Sequence, residues 1–117
     1  MSSSKSDLYD EGWLGDDAHQ TVTIDATIRY SVRLTPGELY EVLVDSEPCY
    51  CALFLDTDGN PAGKTIDSTH TWIPAGGGRN VPVPSRDTGF WYIGVVRAGS
   101  GSGTLHINKA TGTYTAA

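Results

Sequence analysis

Apolar and polar residues alternate with a period of two over several short stretches, and the alternation is strictest between residues 28 and 34. Ile28, Tyr30, Val32 and Leu34 fall on one side of an extended chain, with Arg29, Ser31 and Arg33 on the other. Successive side chains of a strand point to opposite faces, so this spacing predicts a half-buried strand. The same pattern predicts a strand over residues 21–26, with Val22, Ile24 and Ala26 together. A third strand is predicted over 39–44, with Tyr40, Val42 and Val44 together. Residues 49–55 are apolar on both sides: Cys49, Cys51, Leu53 and Leu55 against Tyr50, Ala52 and Phe54. That composition predicts a central strand covered on both faces.

Turn residues separate these stretches. Thr35-Pro36-Gly37-Glu38 is a strong turn signal, since Pro presets φ and Gly permits φ > 0. Asp45-Ser46-Glu47-Pro48 and Asp56-Thr57-Asp58-Gly59-Asn60-Pro61 close the next two strands. Residues 62–89 are less regular. Strand candidates there cover 71–73 and 80–83, and Pro74, Pro82 and Pro84 confine them to sheet edges or strand ends. Gly76-Gly77-Gly78 reads as a flexible loop tip. Residues 90–97 form a second long apolar strand. Residues 103–108 read as its partner across the turn at 98–102, with Leu105 and Ile107 inward and His106 outward. About seven or eight strands, turn signals every ~10 residues and no helical periodicity predict an all-β fold. The expected architecture is an antiparallel β-sandwich, jelly-roll-like, over residues 21–108. An extended N-terminal arm (1–20) precedes it and a polar tail (109–117) follows.

The length of 117 residues suits one domain able to fold without disulfides or metal. A net charge of −6 argues against nucleic acid and against an anionic membrane surface, because both attract basic faces. The charge is concentrated at the start, where Lys5 stands against Asp7, Asp10, Glu11, Asp16 and Asp17. No apolar stretch follows the Ser-rich beginning, so a secretory signal is not expected, and no run is long enough for a membrane span. Assembly in the cytoplasm of the producing cell is the expectation.

Candidate chemistry changes this picture little. Cys49 and Cys51 lie two apart on one face of a strand, about 7 Å between Cα atoms, which is longer than a disulfide normally accepts. They read as two buried thiols. Asp56-x-Asp58-x-Asn60 superficially resembles a calcium loop, but Gly59 precedes Asn60 and no Glu follows at the required distance. Asp-Gly between strands reads better as a turn. His19, His70 and His106 show no metal-ligand spacing, and Gly99-x-Gly101-x-Gly103 leads into a strand rather than the helix of a nucleotide loop. No nucleophile or acid–base signature is present, so neither an enzyme nor a cofactor is expected. The aromatic residues carry more information. Leu8, Tyr9, Trp13 and Leu14, set among Asp10 and Glu11, are expected to dock on their own domain or on a neighbouring subunit. Trp72, Trp91 and Tyr92 offer a stacking platform. Trp91 points opposite to Phe90 and Tyr92, so one of those faces belongs to the core. Trp72 becomes a ligand or protein contact if it is exposed.

Two families are similar in pattern. The order Tyr30-Ser31-Val32-Arg33-Leu34-Thr35-Pro36-Gly37-Glu38, Leu53-Phe54-Leu55-Asp56-Thr57-Asp58-Gly59-Asn60, Phe90-Trp91-Tyr92-Ile93-Gly94-Val95 resembles bacterial pre-peptidase C-terminal-type sandwich domains over residues 28–108. That resemblance implies a non-catalytic accessory module. In architecture, the acidic chain with its β-sandwich and terminal segments also resembles the small decoration (cement) proteins of tailed-phage capsids. This second likeness implies a structural virion protein on the capsid exterior. It would be a homo-oligomer, dimer or trimer, binding across subunits of the major capsid protein. Leu8, Tyr9, Asp10, Glu11, Trp13, Leu14 and Trp72 are the expected partner-binding residues. A carbohydrate- or cell-surface-binding module using Trp72 and residues 70–84 is the alternative.

Overall fold

The alternating stretches become strands in a computed structural model, in which residues 19–57, 59–61, 63–85 and 89–109 are described. The strands are β1 (His19–Ile24), β2 (Arg29–Tyr30), β3 (Leu39–Val44), β4 (Cys49–Asp56), β5 (Thr71–Ile73), β6 (Gly78–Pro82), β7 (Phe90–Arg97) and β8 (Gly103–Lys109). They form two four-stranded antiparallel sheets, β1-β8-β3-β6 and β2-β7-β4-β5. First pairs with last, second with seventh, third with sixth and fourth with fifth. That is one long hairpin rolled up into a sandwich, the jelly-roll arrangement.

The inner faces are the apolar sets of the alternation. Val22 and Ile24 of β1, Tyr40, Val42 and Val44 of β3, and Leu105 and Ile107 of β8 meet Cys49, Cys51, Ile73, Trp91, Ile93 and Val95 of the opposite sheet. Each fully buried aliphatic side chain contributes about 1.5–3 kcal/mol, so this layer is the main source of stability. Tyr40 is wholly buried, and its hydroxyl is satisfied by accepting the Thr35 N–H at 2.7 Å.

The structure corrects four expectations. First, residues 28–34 are not one strand: only Arg29 and Tyr30 pair regularly. Tyr30 faces Gly94 and Leu34 faces Trp91, four steps along one chain against three along the other. One extra residue is accommodated as a β-bulge, which shifts every later side chain to the other face. Leu34 therefore enters the core while Val32 is exposed. Buried Ser31 repairs the broken ladder, its Oγ accepting the Ile93 N–H at 3.0 Å and donating to the Val32 carbonyl at 2.8 Å. Second, β8 does not pair with β7. The connection at 98–102 crosses from one sheet to the other, and β8 lies between β1 and β3. Its turn wraps the buried Glu47 carboxylate, which accepts the Gly99 N–H at 3.0 Å. Third, the Gly76–Gly77 turn is tied down. Gly76 N–H donates to the carbonyls of Val44 and Asp45, Val44 N–H donates to Gly77, and Gly78 already belongs to β6. Fourth, β1 ends at Ile24 and leaves Ala26 exposed, because Asp25 turns the chain by accepting Thr27 N–H and pairing with Arg29.

Candidate interaction face and seam cavity

Sheet β2-β7-β4-β5 carries apolar side chains on its outer face as well. At one end the long β4–β5 connection folds back across it. Ile66, 5% exposed, sits over Gly94. Tyr30 Oη donates to the Lys64 carbonyl at 3.1 Å and Tyr92 Oη to the Gly59 carbonyl at 2.8 Å. Phe54 packs edge-on against both Tyr30 and His70. These contacts cover the outer side of β4 around Phe54 and the middle of β7. Trp91 faces the main core, and Tyr92 is buried under the connection.

The connection leaves the other end of this face open. Tyr50 is flanked in register by Trp72 on β5 and Val96 on β7, so the three side chains form a row across the sheet. Trp72 is 55% exposed, the most of any large apolar residue described. Tyr50 and Val96 are half-buried. Of the expected partner-binding residues, Trp72 is thus placed on an open, flat surface. Leu8, Tyr9, Asp10, Glu11, Trp13 and Leu14 lie outside the described residues.

A cavity of about 190 Å³ opens at the seam between edge strands β5 and β6. It exists because β5 is short. Thr71–Ile73 cover only Cys49–Cys51, so β4 runs on past them without a paired strand on that side among the described residues. Cys51, Leu53, Thr71 and Ile93 line one wall, with Arg79 and Val81 of β6 on the other. Arg79 stands opposite buried Val42, so its side chain starts from the inner face of an edge strand. The two thiols are free and buried. The interaction between the two pushes the Cys49 thiol up and lowers that of Cys51, and the Arg79 charge adds to the lowering.

No family model, curated protein or solved structure matches the chain.

The outer face of the other sheet is mostly polar, apart from the exposed Leu39 and Leu43 of β3, and the fold brings two histidines together there. His19 hydrogen-bonds Asn108 and stacks on His106, with ring centroids 6.4 Å apart. The β1–β8 pairing that does this is a first-to-last contact with no local signature. Among the described residues no group of three His, Cys, Asp or Glu is placed to hold a metal ion, and no helix is long and apolar enough to cross a membrane.

Proposed function

We propose that this protein is a structural interaction module, and specifically a capsid decoration (cement) protein that binds across subunits of a major capsid protein on the virion exterior. The observation that carries this reading is the Trp72–Tyr50–Val96 row. It is a flat apolar strip on a sandwich face, of the kind that protein interfaces bury at their centres. The acidic, aromatic stretch with Leu8, Tyr9, Asp10, Glu11, Trp13 and Leu14 supplies a second contact, and oligomerisation as a dimer or trimer would multiply both. The test is co-sedimentation with undecorated tailed-phage shells. The intact chain is expected to migrate with the shell in fixed ratio. Trp72→Ala should weaken attachment at least tenfold, a hot-spot loss of about 1.4 kcal/mol or more. Free migration of the intact chain at saturating shell concentration would remove this reading.

Trp72 also favours a second reading, a carbohydrate- or cell-surface-binding module in which the exposed indole stacks on a sugar ring. It predicts saturable, glycan-dependent quenching of tryptophan fluorescence that disappears in Trp72→Ala. A broad glycan panel without quenching would argue against it.

A further inference from the structure

We propose that the seam cavity is a binding site for a small aliphatic carboxylate, with the charged head held by Arg79 and the tail lying on Leu53, Val81 and Ile93 down to Cys51. Three observations converge on this site. The first is charge. The described lysines and arginines other than Arg79 each have a partner: Arg29 with Asp25, Arg33 over the Phe90 ring, Lys64 with Asp56, Arg97 with the Ser100 and Gly101 carbonyls, and Lys109 with Thr35. Arg79 has no hydrogen bond, ion pair or ring contact among the described residues, where its charge acts only on the Cys51 thiol, in a chain whose net charge is −6. A guanidinium with no bond among the described residues is available to an incoming anion, and its planar fork matches a carboxylate.

The second observation is shape. The volume of about 190 Å³ corresponds to roughly six heavy atoms at the ~30 Å³ a water occupies in the liquid. A glutamate stem of two methylenes would leave most of that space empty, whereas a five-carbon tail fills it. The third is chemistry. Leu53, Val81 and Ile93 give the site an apolar stretch, Thr71 and Asn80 are its uncharged polar groups and Arg79 its one charge, and such a site binds an apolar tail and fixes its direction by a few polar groups.

Hexanoate is the probe, added to the full chain and followed by two-dimensional amide NMR and by alkylation of Cys51 with iodoacetamide. The expected result is saturable shifts at Cys51, Leu53, Arg79 and Val81 with Kd below about 10 mM, together with alkylation slowed several-fold. Arg79 is exposed and makes no hydrogen bond or ion pair among the described residues, so Arg79→Gln should keep the wild-type spectrum and melting temperature while weakening hexanoate at least tenfold. Hexanol, with the same tail and no charge, should bind as poorly as hexanoate binds the variant. Absence of saturable shifts overturns the proposal. So does equal binding by Arg79→Gln or by hexanol, which would leave the arginine as a guard against edge-to-edge sheet pairing. Binding that leaves the alkylation rate unchanged would overturn the placement of the tail.

Discussion

Gly94 joins two layers of the molecule. A Cβ there would lie 2.7 Å from Ile66 Cδ1 and 2.9 Å from Phe54 Cε2, so its missing side chain is what lets the β4–β5 connection lie flat. Gly94→Ala is expected to lift that connection and cost about 1–3 kcal/mol by overpacking, measured as a lower urea midpoint with an unchanged slope. Asp45 is held below its ordinary value of 3.8 because its carboxylate accepts the N–H groups of Thr104 and Ser46. A depressed folded value adds stability that is complete above the unfolded value and is lost as pH falls through the folded one. Asp45→Asn should therefore lower stability at neutral pH, where that contribution is complete, and flatten the loss seen below about pH 4 in urea titrations, so that variant and wild type converge in acid. At Gly99 a Cβ would sit 2.6 Å from Glu47 Oε2. The glycines at 99–103 thus fit a buried carboxylate, which explains a motif that chain position alone had shown only to be no nucleotide loop.

Among the elements, the regular ones were readable and the irregular ones were not. Strand β3 reproduces its sequence alternation residue for residue, and β4 and β7 lie in sheet interiors, as their two-sided apolar composition implied. The stretch at 28–34 had the cleanest alternation of all and misled, because a bulge needs only one extra residue and leaves the pattern intact. Ser31 is the test of that account. Ser31→Ala should cost about 1–3 kcal/mol, far more than an ordinary surface Ser→Ala, because the Ile93 N–H then loses its partner in a buried position. Val32→Ala, at an exposed site, should change stability by less than about 0.5 kcal/mol. The Trp72 row was half legible. Its residues were visible, but their exposure depends on where the β4–β5 connection stops. The seam cavity was not legible, since it arises from the shortness of β5 and joins Cys51 to Arg79 from opposite sheets.

For the whole molecule, the rolled hairpin makes the last strand indispensable. The expectation that neighbouring strands pair failed at β8 because a jelly roll spends its connections crossing between sheets. β8 fills the gap between β1 and β3 and contributes Leu105 and Ile107 to the core. Ending the chain at residue 102 should therefore abolish cooperative unfolding, whereas removal of residues 1–18 should leave a folded domain by circular dichroism. Attachment to shells should be lost in that shortened but folded domain, which separates binding from folding. Because the first strand must find the last, refolding is expected in the millisecond-to-second range rather than microseconds, as stopped-flow fluorescence of the buried Trp91 would report.

The pairing of His19 with Asn108 has a practical consequence. It brings the two ends of the sandwich within about 5 Å of each other, the spacing of neighbouring strands. A short linker could join them, and the chain could be reopened at the glycine-rich crossing at 98–102 to give a circular permutant with the same core. The same closeness suits the domain to insertion into a surface loop of another protein, where both junctions would meet the host at one point. On a repeating shell, a peptide fused at either end would then be displayed at one fixed spot per copy.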